Sequence, residues 1–245
     1  MRYFIANWKM YAGPTSSLKL AEAYRDLTIP TGLKVIVAPT SLSFSAIQST
    51  LAETDWKLAA QNIAWVPEGA YTGAVSGKMY AEAGATYALI GHSERRHIFG
   101  EGDSDVEKKI AAAILSGLIP ILCIGESAED LAEGKRQYRL KKQLQVLASL
   151  EAVVPIIVAY EPVWAITGSG TGTPCLPADV QDVHGFIKTE LATLGFVDTP
   201  VIYGGSVKLE TAADYLAIPE VDGVLAGSAS IHPESMQAFL DVIAN

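Results

Sequence analysis

Eight short apolar segments alternate with amphipathic stretches from one end of this chain to the other. The apolar segments, which we predict to be strands, are Tyr3–Ala6, Val35–Ala38, Leu58–Ala60, Tyr87–Ile90, Ile119–Ile124, Ile156–Tyr160, Val201–Tyr203 and Gly223–Ala226. The stretches between them, which we predict to be helices, are Ser17–Arg25, Ser43–Leu51, Asp105–Leu115, Gln137–Leu150, Ala178–Leu194, Leu209–Leu216 and Glu234–Ile243. About eight strand–helix units in about 250 residues is the size of one (β/α)8 barrel, so the alternation predicts an α/β protein with that fold.

No proline-, glycine- or serine-rich linker and no change of composition divides the 245 residues. The sequence therefore predicts a single domain over residues 1–245. A doubly wound open sheet is the competing fold, and the number of strands and the missing dinucleotide fingerprint disfavour it.

Composition and simple sequence patterns argue against several classes of partner and location. The 18 basic and 27 acidic residues give a net charge of −9, which argues against binding to nucleic acid. No run approaches the roughly 18 apolar residues of a membrane helix, and the N-terminus lacks a secretory signal pattern. The two cysteines form no disulfide framework, so we expect them to be reduced in the cytoplasm. An anionic small molecule stays possible, because backbone amides bind phosphate locally.

Polar and ionisable residues cluster where the predicted strands end. In chain order the strand ends read NWK (7–9), APT (38–40), AQN (60–62), GHS (91–93), IGE (124–126), YEP (160–162), GGS (204–206) and AGS (226–228). A barrel carries its active site on the face formed by the C-terminal ends of its strands. The sequence therefore predicts an active site on that face.

Glu161 directly follows a strand apolar enough to be buried on both faces. The next residue is proline, which favours an extended backbone at Glu161. Downstream, Gly168, Gly170 and Gly172 make a loop that is permissive enough to move as a lid. Glu161 is either an ordinary surface acid or a base whose carboxylate loses water when the lid closes.

Lys9, preceded by Asn7, and His92 end two other strands. Lys9 is either a solvated loop lysine or a fixed cation that stabilises an anionic substrate or a developing oxyanion. His92 is either structural or catalytic. We expect a helix to begin at His92, and a helix N-terminus disfavours the imidazolium ion. A neutral imidazole can move protons between adjacent oxygens.

The glycine-bearing ends Gly204–Ser206 and Gly227–Ser228 offer backbone N–H groups after strands seven and eight, the usual phosphate position in such barrels. Three further histidines are scattered, and no spacing of His, Cys, Asp and Glu resembles a metal site. The segment TGSGTGT matches neither nucleotide-binding fingerprint, so no cofactor is expected. Glu94 is either a second site carboxylate or a partner of Arg95 or Arg96. Cys123 is expected to be buried and inert.

Seven motifs together resemble the triosephosphate isomerase family in the same order along the chain. They are ANWKM (6–10), AQN (60–62), GAYTG (69–73), IGHSERR (90–96), CIGE (123–126), AYEPVWAI (159–166) and YGGSV (203–207). The resemblance implies a (β/α)8 TIM barrel that interconverts dihydroxyacetone phosphate and D-glyceraldehyde 3-phosphate without a cofactor.

The resemblance also implies a role for each site residue. Glu161 would remove a proton from the carbon next to the carbonyl, His92 would polarise the carbonyl, and Lys9 with Asn7 would hold the substrate. The residues expected to bind its phosphate are Thr167, Ser206, Gly227 and Ser228, and those expected to support the site are Ser93 and Glu94.

The chain departs from the family in its lid and in one interface residue. The family's G-T-G-K-T-A is replaced by Thr167–Gly172, and its GG after strand eight by Gly227–Ser228. These changes leave two alternatives open: an isomerase for a four-carbon ketose phosphate, and a barrel that binds phosphorylated ligands without turnover. The loop 62–77 keeps its length and Thr72, which implies a homodimer, although Ala74 replaces a glutamate.

Overall fold

Eight parallel strands close into a barrel in the part of the chain that the computed structural model describes, residues 1–151, 153–166 and 175–244. They are β1 Arg2–Asn7, β2 Leu33–Ala38, β3 Lys57–Ala60, β4 Tyr87–Ile90, β5 Ile119–Ile124, β6 Ile157–Tyr160, β7 Val201–Tyr203 and β8 Gly223–Ala226. Each strand pairs with the next in sequence, and β8 pairs with β1, so the sheet has no edge. The (β/α)8 prediction is confirmed, and the open sheet is excluded.

The helices lie outside the barrel and between successive strands. Within the described ranges they are α1 Pro14–Arg25, α2 Phe44–Leu51, α3 Gly77–Glu82, α4 Ser93–His97, α5 Asp103–Leu115, α6 Ala128–Ala132, α7 Arg136–Leu144, α8 Pro177–Thr193, α9 Leu209–Leu216 and α10 Pro233–Ala244. The sequence missed α3 and α6 and indicated only the start of α4, because five or six residues are too short to show a helical period. The predicted helix Gln137–Leu150 is also too long, since α7 ends at Leu144 and a 3-10 turn, Gln145–Leu147, follows.

Alternate residues of each strand enter two separate cores. In β5, Ile121 and Cys123 point into the barrel, whereas Leu122 and Ile124 pack beneath the helices. Burial on both faces explains why the strands read as continuous apolar runs rather than as alternating ones. Cys123 and Cys175 are both free and buried.

All eight C-terminal strand ends meet at one end of the barrel, because the strands are parallel and in order. Lys9, His92 and Glu161 follow the ends of β1, β4 and β6 by one or two residues and therefore lie at the same face. In the described part of the chain, no helix is long and apolar enough to cross a membrane.

Candidate active site

The carboxylate of Glu161 lies in the floor of the site and is only 1% exposed. The backbone N–H of Ser93 donates to its Oε2 at 2.9 Å. Its Oε1 lies 3.1 Å from Nε2 of His92, within ion-pair distance but without hydrogen-bond alignment. No described group forms a hydrogen bond with Oε1. The expectation that lid closure removes Glu161 from water stays a prediction, because the lid lies outside the described residues.

His92 is held in one tautomer by the start of α4. It is the N-cap of this helix, and the backbone N–H of Glu94 donates to its Nδ1 at 3.2 Å. A ring nitrogen that accepts a hydrogen bond carries no proton, so this contact leaves Nε2 as the ring nitrogen that can donate. The predicted helix N-terminus at His92 is thus present. Nε2 lies beside Oε1 of Glu161 without an aligned hydrogen bond between them.

Lys9 has a constrained backbone and a nearly buried charge. Its φ of 47° lies in the left-handed region, which no other non-glycine residue occupies in the described ranges. The Lys9 N–H donates to Oδ1 of Asn7 at 3.1 Å, and Nε2 of Gln61 donates to the Lys9 carbonyl at 2.9 Å. Backbone strain of this kind persists where surrounding contacts hold it, often at functional sites. Asn7 and Gln61 thus hold the backbone from which the Lys9 side chain extends.

Glu94 joins the site rather than pairing with the neighbouring arginines. Its Oε1 lies 2.8 Å from Nζ of Lys9, and its Oε2 lies 3.6 Å from Nδ1 of His92. Arg95 instead pairs with Glu101 at 2.8 Å, and Arg96 pairs with Asp103 at 2.7 Å. Of the two interpretations of Glu94, these contacts favour a second carboxylate of the site over a partner of Arg95 or Arg96.

The glycine-bearing loops after β7 and β8 border the same groups. A Cβ built on Gly204 would lie 3.0 Å from Cγ of Glu161, and one on Gly227 would lie 3.1 Å from Cε of Lys9. Ser206 is partly buried and Ser228 is exposed at the start of a 3-10 turn. Thr167 and the glycines at 168, 170 and 172 lie outside the described residues.

Glu126 ties the end of β5 to the end of β6, a role that the sequence did not reveal. Its side chain is fully buried, and Oε1 accepts hydrogen bonds from Tyr160 Oη at 3.0 Å and Trp164 Nε1 at 2.8 Å. Arg136 of α7 donates to the same oxygen at 3.2 Å. Burial raises the pKa of this carboxyl above its ordinary value. Tyr160 precedes Glu161 and Trp164 follows it, so these bonds hold the chain on both sides of Glu161.

The remaining histidines lie outside this group. His97 and His232 are exposed, and His184 is buried between α8 and the strands. Within residues 1–151, 153–166 and 175–244, no group of three or more His, Cys, Asp and Glu could hold a metal ion.

We expect His184 to make stability depend on pH. Burial lowers its pKa to about 4, whereas an unfolded imidazole titrates near ~6.5. The contribution of the neutral His184 ring to the free energy of unfolding is complete above pH ~6.5. It is lost as the pH falls toward 4, because in that interval only the unfolded chain takes up the proton. The loss should reach about 3 kcal/mol. Urea unfolding between pH 7.5 and 4 measures it.

His184→Phe keeps an aromatic ring beside Tyr160 but removes the titrating group. This variant should lose much less stability over the same pH interval than the wild type. His232→Gln, at an exposed position, should behave like the wild type. Equal losses in all three proteins would contradict the assignment.

A cavity of about 950 Å³ opens beside the site. Its lining includes Lys9, His92 and Glu94 together with residues of the loop 62–77, among them Trp65 and Tyr71. The cavity thus connects the charged groups to an apolar surface.

Comparisons with known proteins agree on one family. A family model described as triosephosphate isomerase matches residues 2–245. A triosephosphate isomerase of Bdellovibrio bacteriovorus is 38% identical over 242 residues, covering 98% of this chain and 99% of its own. One of Symbiobacterium thermophilum is 40% identical over 244 residues, covering 96% and 93%. One of Chlamydia muridarum is 39% identical over 252 residues, covering 99% and 92%.

Proposed function

Because the chain belongs to the triosephosphate isomerase family and so interconverts dihydroxyacetone phosphate and D-glyceraldehyde 3-phosphate, we propose that Glu161 is the base that moves the proton. One observation carries this assignment. Oε1 of Glu161 and Nε2 of His92 lie 3.1 Å apart without forming an aligned hydrogen bond. A base and a proton donor therefore lie side by side without a hydrogen bond between them.

The reaction needs only proton transfers. Glu161 takes a proton from the carbon next to the carbonyl, and the electron pair of that C–H bond forms the enediolate double bond. The Nε2–H of His92 donates to the carbonyl oxygen and then carries a proton between the two oxygens. Glu161 returns its proton to the neighbouring carbon, so atoms and electrons balance. The Lys9 ammonium stabilises the negative charge that develops.

The phosphate binds at the ends of β7 and β8. Backbone N–H groups of Ser206, Gly227 and Ser228 are the donors, and Thr167 is proposed as a fourth. Support comes from the closeness of Gly227 to the Lys9 side chain and of Gly204 to Glu161.

A substrate panel tests the activity. We expect dihydroxyacetone phosphate to be turned over with a higher kcat/KM than any four-carbon ketose phosphate. A preference of several hundred-fold for a four-carbon substrate would reverse the choice of substrate. Tight binding of phosphorylated ligands with no turnover of any of them would instead identify a binding protein.

A homodimer is the second part of the proposal, built through the loop 62–77 with Thr72 at its tip. The loop is closed by a hydrogen bond from Ala64 N to Val75 O at 2.9 Å, and it borders exposed Tyr11 and Phe99. The loss of the glutamate at Ala74 does not leave Arg95 unpaired, since Arg95 binds Glu101 within the chain.

Sedimentation measures the assembly. The wild type should have twice the chain mass of 26.0 kDa, and Thr72→Arg should lower it at micromolar concentrations. Thr193→Arg, at an exposed position on α8, is the control and should leave the mass unchanged. A wild-type mass of 26.0 kDa at every concentration would contradict the dimer.

A single domain over residues 1–245 and a cytoplasmic location complete the proposal. The match of one family model to residues 2–245 supports the first, and two free, buried cysteines support the second. Two separately stable proteolytic fragments would contradict the single domain. Recovery of the protein outside the cytoplasmic fraction would contradict the location.

A further inference from the structure

Gly125 lies directly against the backbone of Glu161. A Cβ built on this glycine would lie 1.8 Å from the Glu161 carbonyl oxygen and 2.7 Å from its carbonyl carbon. On either side of Gly125, the Glu161 N–H donates to Ile124 O at 2.7 Å and the Val163 N–H donates to Glu126 O at 3.1 Å. The backbone of Glu161 therefore rests directly on the segment 124–126.

Gln143 of α7 holds this glycine from the other side. The Gly125 N–H donates to Oε1 of Gln143 at 2.8 Å, and Nε2 of Gln143 donates to the Gly125 carbonyl at 3.1 Å. The Gln143 side chain is only 4% exposed. An amide is the side chain that can both accept from and donate to one backbone residue, and here it uses both groups.

The same helix also holds the next residue. Arg136, at the start of α7, donates to the side chain of Glu126 at 3.2 Å. Gln143 and Arg136 are seven residues apart and therefore on one face of α7. This face thus supports the strand end on which Glu161 rests.

We propose that Gln143 is a positioning residue for the isomerisation: it holds Gly125 against Glu161 and so fixes the place from which the carboxylate reaches the substrate. The proposal rests on the role of Glu161 proposed above. Without the amide, the Gly125 segment can move away from α7, and Glu161 loses the surface that its backbone rests on. A displacement of about 1 Å from the reacting carbon can cost about 10²-fold in rate.

A purely structural role is the competing explanation, and two variants separate the two. Gln143→Leu keeps the approximate shape and removes both hydrogen bonds. It should lower kcat about 10- to 100-fold with KM within about twofold of the wild type, because the phosphate loops are on other strands. Gln237→Leu is the matched control, because the Gln237 amide makes the same pair of bonds to Thr28, both at 2.9 Å, away from the site. It should leave kcat unchanged.

Gln143→Glu adds a readout that lost stability does not produce. A protonated carboxyl can donate to the Gly125 carbonyl and accept from its N–H as the amide does, whereas a carboxylate cannot donate. The ratio of its kcat to that of the wild type should therefore fall as the pH rises, from near one toward the value of Gln143→Leu. The ratio for Gln143→Leu should be independent of pH.

Three results would overturn the proposal: a folded Gln143→Leu with kcat within about twofold of the wild type, a loss confined to KM, or a flat ratio for Gln143→Glu. If Gln143→Leu does not fold, the pH profile of Gln143→Glu decides. Should Glu161→Ala lose activity while the Gln143 variants do not, this inference alone fails. A Glu161→Ala protein as active as the wild type would overturn both proposals.

Discussion

Replacing Glu161 with alanine should lower kcat for dihydroxyacetone phosphate by roughly 10²–10⁴-fold, the contribution usual for a positioned general base. The reason is chemical rather than structural. Within the described part of the chain, Glu161 is the carboxylate beside His92 Nε2, and its Oε1 has no hydrogen-bond partner. KM should change little, because the phosphate donors are on β7 and β8. Steady-state kinetics in both directions measure the effect.

Glu190→Gln is the matched control. Glu190 also pairs with a base, Lys141 at 2.9 Å, but on the outer helices α7 and α8. Its loss should leave kcat within about twofold, because partly exposed ion pairs contribute little. Glu161→Asp keeps the charge but shortens the reach, and it should lie between alanine and wild type. An alanine variant with wild-type kcat would remove Glu161 from the mechanism.

Lys9→Met should lower kcat/KM by at least roughly 10²–10³-fold, the loss typical of removing one donor that stabilises a developing oxyanion. Methionine retains much of the lysine stem and removes the charge. Both KM and kcat should worsen, because the ammonium attracts the anionic substrate as well as the enediolate. The effect should exceed that of an exposed lysine, because the Lys9 side chain is only 13% exposed and its field is little screened.

Lys141→Met, the other half of the exposed control pair, should leave kcat/KM nearly unchanged. Lys9→Arg tests geometry separately from charge. The larger, planar guanidinium does not reproduce a compact ammonium, and a Cβ at nearby Gly227 would already lie within 3.1 Å of the Lys9 side chain. We therefore expect Lys9→Arg to remain well below wild type. A Lys9→Met protein with unchanged kcat/KM would show that Lys9 contributes to neither substrate binding nor catalysis.

The strands were predictable from the sequence because they are buried on both faces. Seven predicted strands end at the residue where the observed strand ends, and β1 extends one residue further, to Asn7. The short helices were not predictable in the same way. α4 contains five residues, and its start depends on the N-cap contact between His92 and the Glu94 N–H. The motif IGHSERR (90–96) indicated where α4 begins but not how long it is.

The candidate site was predictable where chemistry requires an ionisable side chain at a strand end. Lys9, His92 and Glu161 meet that requirement, and the fold brings them to one face. Their supports were not predictable. Gln143 lies within a helix, and its link to Gly125 exists only once α7 packs against β5. Glu94 was ambiguous, because the sequence places arginines next to it and only the structure assigns those arginines other partners.

Isotope incorporation tests the central claim, proton abstraction by Glu161, most directly. D-glyceraldehyde 3-phosphate is converted in D2O, and the dihydroxyacetone phosphate is analysed by NMR for deuterium at carbon 1. We predict that the wild type places deuterium there, because a proton held on a carboxylate exchanges with solvent before it returns to carbon. Residual turnover by Glu161→Ala should lack this rapid, enzyme-dependent incorporation. A Glu161→Ala protein that incorporates deuterium at carbon 1 at the wild-type rate would contradict the proposed mechanism.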